Sequence, residues 1–414
     1  MSAPRTAYVH IPFCHRRCFY CDFAVVPLGD KAGGGGGPGS ASIDSYLEQL
    51  HAEIALSPKG PPLATVYIGG GTPSLLTPEQ IHALLNRLCR QFGVQAGAEI
   101  TLEMDPASFD QHDLQALIAA GINRVSLGGQ SFDDGVLETL GRRHRSDALM
   151  QCCRWLAQAC HEGELRSWSL DLIRNLPNQT LEGWCEQLEQ ALAVAAPHLS
   201  IYDLQVEPGT VFAWRQQRGE LPLPDDDLAA DLMASTSQRL RRAGFCRYEI
   251  SNYARPGHAS RHNRVYWSGA GWWGFGLGAT SAPWGERLAR PRTREAYGLW
   301  LTDQHQAVHP SLHRQSAAAL PLDDRLLVGL RRHEGVHLLD QARACGWDER
   351  SCNRYLPALE RRWTKALQQR LLLQEGGRWR LSDPEGMALS NQVLVELMCW
   401  WESLPADVVR SPSP

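Results

Sequence analysis

The chain has 414 residues, more than one hydrophobic core usually supports, so a large domain and a smaller appended one are expected. Apolar residues at 43% and charged residues at 21% exclude disorder over most of the length. Lys and Arg number 41 against 45 Asp and Glu, a formal charge of -4, which offers no overall attraction to nucleic acid or to an anionic membrane.

The N-terminus lacks a cationic region followed by a long apolar run, since His10 and Pro12 interrupt the one candidate. Neither a signal peptide nor a membrane span is expected. Short β-branched runs then recur at Ala7–Ile11, Thr65–Ile68, Glu99–Glu103, Arg124–Leu127, Ser169–Ile173 and Leu199–Leu204. Between them, Ser45–Leu56, Pro78–Phe92, Gln111–Ala120 and Leu181–Ala193 carry apolar residues at helical spacing. Strands alternating with helices predict α/β architecture, with a parallel sheet curled into an incomplete β/α barrel and chemistry at the C-terminal strand ends. Gly33–Gly37, followed by Pro38, Gly39 and Ser40, reads as a mobile surface insertion. After about residue 206 the alternation fades into a Pro-, Trp- and Arg-rich region. From about 321 the pattern is helical, then a hairpin including Arg378–Leu381, then a helix starting near Leu389.

Twelve cysteines, clustered once and otherwise scattered, fit a reducing cytoplasm better than a secreted disulfide framework. The cluster is Cys14, Cys18 and Cys21, spaced C-x3-C-x2-C directly after the first predicted strand. Three thiolates can hold three irons of a [4Fe-4S] cube and leave the fourth open, the arrangement in which S-adenosylmethionine (SAM) chelates the open iron and is cleaved by one electron to a 5'-deoxyadenosyl radical. The alternative is zinc, with His10 or His15 as fourth ligand. Context favours the iron cluster. Gly69-Gly70-Gly71-Thr72-Pro73-Ser74 follows the second strand, and Glu103, Gln130, Arg142 and Asp171 fall near later strand ends. A ligand with an ammonium, a carboxylate and a ribose diol needs partners of those kinds.

Tyr8-Val9-His10-Ile11-Pro12-Phe13-Cys14, Tyr20-Cys21-Asp22-Phe23, the Gly-Gly-Gly-Thr-Pro-Ser run, Gly128-Gly129-Gln130-Ser131-Phe132 and Leu140-Gly141-Arg142-Arg143-His144 resemble the radical SAM family of oxygen-independent coproporphyrinogen III oxidases and related heme chaperones. The likeness continues through Asp171-Leu172-Ile173, Tyr248–Tyr253, His262–Trp267 and Leu389-Ser390-Asn391. The resemblance implies that Tyr8, Tyr20, Gly70, Gly71, Thr72, Glu103, Gln130, Arg142 and Asp171 contact SAM, with Arg142 on its carboxylate and Asp171 or Gln130 on its ribose. Asp105 stands where an asparagine is common in the family, Gly129 where a larger apolar residue is, and Asn178 where a glycine is.

Two features favour the chaperone branch over the oxidases. Phe23 stands where the oxidases resemble a fourth cysteine, and 13 residues precede Cys14 where they carry a long extension. The resemblance then implies heme and an unidentified heme-accepting protein as partners, and a flavodoxin or ferredoxin as reductant. His262, in His262-Asn263-x-x-Tyr266-Trp267, is the candidate heme ligand, weighed against a histidine that only hydrogen-bonds within a packed loop. Residues 1–215 are expected to form the barrel core, 216–320 a barrel-completing segment with candidate heme or porphyrin contacts, and 321–414 a small winged-helix-like α+β domain. Nucleic-acid binding through Arg361, Arg362, Lys365 and Arg370 is a distant third reading, because such a charge run is usually a solvated face.

Overall fold

A computed structural model of the protein describes residues 3–29, 38–307, 312 and 320–409. The central sheet has nine strands: β1 (Thr6–Ile11), β2 (Leu63–Gly70), β3 (Val94–Met104), β4 (Arg124–Gln130), β5 (Ser167–Arg174), β6 (His198–Asp203), β7 (Cys246–Arg247), β8 (Asn252–Ala254) and β9 (Trp273–Phe275). Their order is β9-β1-β2-β3-β4-β5-β6-β8-β7. Every pair from β9 to β6 is parallel, and β8 and β7 close the far edge antiparallel. This is the incomplete β/α barrel of the sequence reading.

The crossover helices include α1 (Pro38–Leu56), α2 (Pro78–Phe92), α3 (Gln111–Ala119), α4 (Asp134–Thr139), α5 (Ser146–His161) and α6 (Leu181–Ala193). Their ends follow local chemistry. In α2, Thr77 and Gln80 form a reciprocal capping box, Pro78 begins the helix, and Ile81, Leu84, Leu88 and Phe92 make one buried stripe that stops at Gly93. Ala7, Val9 and Ile11 of β1 pack with Leu50 and Ile54 of α1 in one large core. The alternate strand residues turn into the barrel, where Thr65 bonds to Thr6 and Tyr67 reaches Glu103.

The glycine run Gly33–Gly37 lies outside the described residues, but the reading of Pro38–Ser40 as part of the same loop is corrected: they open α1. Proline suits a first helical turn because its missing N–H has no partner to lose there. The stretch after residue 206 is also more regular than expected. It holds α7 (Val211–Gln217), α8 (Asp226–Arg242) and α9 (Arg261–Ser268), and it returns to the sheet as β9, beside β1.

β9 is held there by a buried carboxylate. Glu53 of α1, fully buried, accepts from Arg290 Nε at 2.7 Å, from the Gly276 N–H at 2.7 Å and from the Tyr297 hydroxyl at 2.6 Å. Tyr297 lies in α10 (Arg294–Gln306), so three distant segments share one anion. Removing one donor leaves the carboxylate short of a charge-assisted bond. Tyr297→Phe is therefore expected to lower stability by about 2 kcal/mol in urea unfolding.

From residue 320 the chain is mainly helical: α11 (Leu322–Gly329), α12 (Leu338–Ala344), α13 (Glu349–Arg362), α14 (Thr364–Gln368), the hairpin β10 (Leu372–Glu375) and β11 (Arg378–Leu381), α15 (Glu385–Ala388), α16 (Ser390–Glu402) and α17 (Ala406–Val409). These elements bury a second core around Leu326, Leu359, Trp363, Leu372, Trp379, Leu397 and Trp400. α8 joins the two, with Leu232 in the first core and Met233 in the second. On the surface of α13, Arg362 pairs with Glu396 at 3.1 Å, as a solvated charged face does. Among the described residues no helix is long and apolar enough to cross a membrane.

Candidate functional site

At the C-terminal ends of the strands lies a cavity of about 420 Å³, within the range of small-molecule sites. Cys14, Cys18 and Cys21 line it together with Tyr20, Gly70, Gly71, Thr72, Glu103, Gln130, Arg142 and Asp171. Eleven of the expected site residues are thus brought to one hollow, from five successive strand ends and their loops.

The cysteine loop is built from backbone. Phe13–Cys14 pairs with Val26–Pro27, the Leu28 N–H bonds to the Cys14 carbonyl at 2.8 Å, and the Cys21 N–H bonds to the Cys18 carbonyl at 3.2 Å. All three thiols are free, and burial pushes Cys14 up to about 12 and raises Cys21. Deprotonating Cys14 and Cys21 needs the compensation that a bound cation supplies. His10, a possible fourth ligand on the zinc reading, is buried with Nε2 at 2.9 Å from the Ala24 carbonyl and Nδ1 at 3.0 Å from the Tyr8 hydroxyl. Both ring nitrogens are engaged, so His10 completes no tetrahedral site.

The glycines act differently from what a bare ligand cradle would suggest. A Cβ on Gly71 would lie 2.5 Å from the Phe13 carbonyl, one on Gly69 would lie 2.9 Å from Glu103 Oε1, and Gly70 has φ +128° with its Cβ position 2.5 Å from the Ile11 carbonyl. The run lets β2 lie against the cysteine loop and lets Glu103 reach the cavity. Gly70→Ala should cost about 2 kcal/mol, measurable by urea unfolding, because that φ disfavours any side chain and the obstruction is backbone.

Charged and polar groups converge behind this loop. Glu103 accepts from the Gly70 N–H and from the Tyr67 hydroxyl, each at 2.9 Å, and burial outweighs these bonds, so its carboxyl is pushed up to about 7. Arg142 donates to Asp105 Oδ2 at 2.5 Å and to the Gly128 carbonyl at 2.8 Å, and lies 3.7 Å from Cys18 Sγ. Asp171 Oδ2 accepts from Ser126 at 2.9 Å, while its Oδ1 is buried without a partner. Gln130 sits at φ 66° on the last residue of β4.

Two expected residues lie elsewhere. Tyr8 is one layer below the lining: its hydroxyl goes to His10 and its ring stacks on Tyr67 with centroids 6.1 Å apart. His262 lies behind the cavity wall, its ring centroid 5.0 Å from that of Tyr67, which lines the cavity. His262 is 1% exposed, with Nδ1 3.0 Å from Thr65 Oγ1 and Nε2 2.8 Å from the Tyr266 hydroxyl, and burial pushes its ring down to about 3. In this conformation His262 is a packed hydrogen-bonding residue with no free nitrogen, the alternative weighed for it from sequence. The sequence reading also missed Tyr67, Ser126 and Tyr202, which line the cavity. Tyr67 and Ser126 had a usable signal, since each stands at an inward-alternating strand position with Glu103 or Asp171 on the neighbouring strand.

A parallel β/α barrel with three cysteines at its mouth is the framework of a radical SAM protein, and residues 8–189 match the Radical SAM superfamily. Coproporphyrinogen III oxidase (HemN) from Escherichia coli superposes with a TM-score of 0.76 over 96% of this chain and 90% of that one, at 21% identity, which shows the shared fold. The heme chaperone HemW of Synechocystis sp. is 38% identical over 408 residues, 95% of this chain and 96% of that protein. HemW of Lactococcus lactis is 31% identical over 96% of this chain and 98% of its own length. A bovine mitochondrial radical S-adenosyl methionine domain-containing protein 1 is 34% identical over 97% of this chain. The chain belongs to the HemW family. A [4Fe-4S] cluster and SAM come with the radical SAM class.

The residues present fit both groups. Three thiols stand together without a neighbouring protein ligand from His10, Asp171 offers an unpartnered buried acceptor, and Glu103 and Arg142 bring opposite charges to one cavity.

Proposed function

We propose that this protein binds heme and passes it to an acceptor protein, and that its barrel carries the cluster on Cys14, Cys18 and Cys21. The observation that carries the reading is the end-to-end similarity to HemW proteins, 38% identity over 96% of the Synechocystis chaperone. Phe23 supports it: it is 55% exposed at the cavity wall, where the oxidase pattern has a fourth thiol.

Within the cavity, Arg142 binds the carboxylate of SAM, Glu103 accepts from its amino group, and Asp171 Oδ1 or Gln130 accepts from its ribose. Tyr20 walls the space beside the cysteines, Gly70, Gly71 and Thr72 form its floor, and Tyr8 acts from below by backing Tyr67. When bound, the cluster supplies the single electron that cleaves SAM, taken in turn from a low-potential donor such as a flavodoxin or ferredoxin. Ligation of heme by His262 requires its bond to Thr65 or Tyr266 to open. A Soret shift in His262→Ala would mark that role, and an unchanged heme spectrum would remove it. Residues 321–414 act as a separate domain, an inference supported by the second core, whose buried residues other than Met233 all lie beyond residue 320; 1–215 and 216–320 divide the barrel between them. A reducing cytoplasm suits the oxidisable cysteine triad.

The test is anaerobic reconstitution with iron and sulfide, then heme titration and a coproporphyrinogen III assay on one sample. Stoichiometric heme retention without decarboxylation is expected. Decarboxylation without heme retention would replace the chaperone by an oxidase.

A further inference from the structure

We propose that Asp105 is a built-in competitor for Arg142, a positioning residue that sets how tightly the cavity holds an amino-acid carboxylate. The inference rests on the reading of the cavity as the SAM site and concerns one contact within it.

Four arginines line the cavity. Arg16, Arg17 and Arg143 are exposed, whereas the Arg142 side chain is 10% exposed and points inward. Its donors are already committed in part. One terminal nitrogen gives to Asp105 Oδ2 and to the Gly128 carbonyl, the other faces Cys18, and Nε is buried without a partner. Asp105 is not free to swing away. Its Oδ1 accepts from the Ala107 N–H at 2.9 Å, and its own N–H donates to Ser74 Oγ at 3.2 Å. The 2.5 Å contact joins the two as an ion pair, and the Arg142 guanidinium holds the Asp105 carboxyl below its ordinary value although burial pushes it up.

A ligand carboxylate arriving at Arg142 therefore meets a cation whose charge is already balanced, beside an anion of its own sign. Of the other charged groups of the pocket, Glu103 and Asp171 are buried acids, whereas Arg16, Arg17 and Arg143 are exposed cations that solvent screens. Asp105 keeps the buried guanidinium oriented and solvated by protein when the cavity is empty, and it weakens the hold on a filled one. That arrangement suits a site that must release its ligand. An asparagine here would keep the length and one acceptor while removing the competing charge.

The test uses cluster-reconstituted protein under anaerobic equilibrium dialysis, with SAM and with decarboxylated SAM, which keeps the adenosine, sulfonium and amine. Asp105→Asn is expected to bind SAM about tenfold tighter and decarboxylated SAM within about twofold of wild type. In an Arg142→Gln background the same change should move SAM affinity by less than about twofold, as coupling through Arg142 requires. Equal or weaker SAM binding by Asp105→Asn at an unchanged unfolding midpoint overturns the proposal, as does equal tightening of both ligands. Should Asp105→Asn load no cluster, Asp105→Ser removes the same charge and must show the same selectivity. Loss of cluster in both would make Asp105 structural and also overturn it. If wild-type protein with a full cluster binds no SAM, the SAM reading itself fails, an outcome separate from the others.

Discussion

Replacing any one of Cys14, Cys18 and Cys21 by alanine is expected to abolish cluster loading, leaving iron and acid-labile sulfide near background after reconstitution. The argument is one of ligand count and supply. A cube held by three protein thiolates cannot lose one and draw on another, because no cysteine besides these three lines the cavity. Cys152 and Cys153 are buried on α5, and Cys345 and Cys352 belong to the second core. Cys152 Sγ donates to the Pro106 carbonyl at 3.6 Å, the contact of a packed thiol. Cys89→Ala, an exposed site on α2, is the matched control and should load normally. Retention of a full iron complement by a triad variant would mean that the metal is held elsewhere.

Glu103→Gln is expected to lower SAM affinity about thirtyfold at pH 8 and by no more than about threefold at pH 6. An ionised carboxylate accepts a much stronger bond from a ligand amino group than a neutral amide does, and a buried charged partner is costly to remove. The pH dependence follows from the carboxyl being pushed up to about 7 from an ordinary 4.5. At pH 8 the wild-type group is mostly ionised, and at pH 6 it is mostly protonated and resembles the amide. Binding curves for the two proteins should converge as pH falls; parallel curves would show that Glu103 does not face the ligand.

Stability of the empty protein should move the opposite way. A carboxyl whose folded value lies above its unfolded one makes the folded state bind the extra proton between about 4.5 and 7, so stability falls as pH rises through that window. Glu103→Gln removes the cost of ionisation. The ligand-free variant should exceed wild type at pH 8 by about 2 kcal/mol, a figure reduced because Glu103 lines a cavity that water can enter, and the gap should close below about pH 5. A residue that weakens the empty fold and strengthens the filled one is kept for the ligand.

Much of this was legible in the order of the residues. The bounds of α2 and α6 follow from Thr77 and Thr180 as caps and from an apolar stripe at helical spacing, both local features. The six parallel strands and the C-x3-C-x2-C loop after the first of them are also local, and together they place the cluster at one end of a barrel. α8 carried a signal that was passed over: Asp225 caps it, Asp226 and Asp227 open it, and Arg239, Arg241 and Arg242 close it.

Other features had no local trace. β9 pairs with β1 across more than 260 residues, since Ala7 lies beside Trp273, and no periodicity near either strand encodes that partner. Arg142 was identified as a cation for a ligand, yet its nearest anion is Asp105, 37 positions away. His262 looked available because a motif shows residue types and not the bonds they already make; folding placed Thr65 and Tyr266 on its two nitrogens. By itself the sequence determined which groups the protein owns and the elements that carry them, because spacing and capping act within a few residues. Which groups remain free for a ligand was decided only by the tertiary structure, because burial and hydrogen-bond competition depend on neighbours distant in the chain.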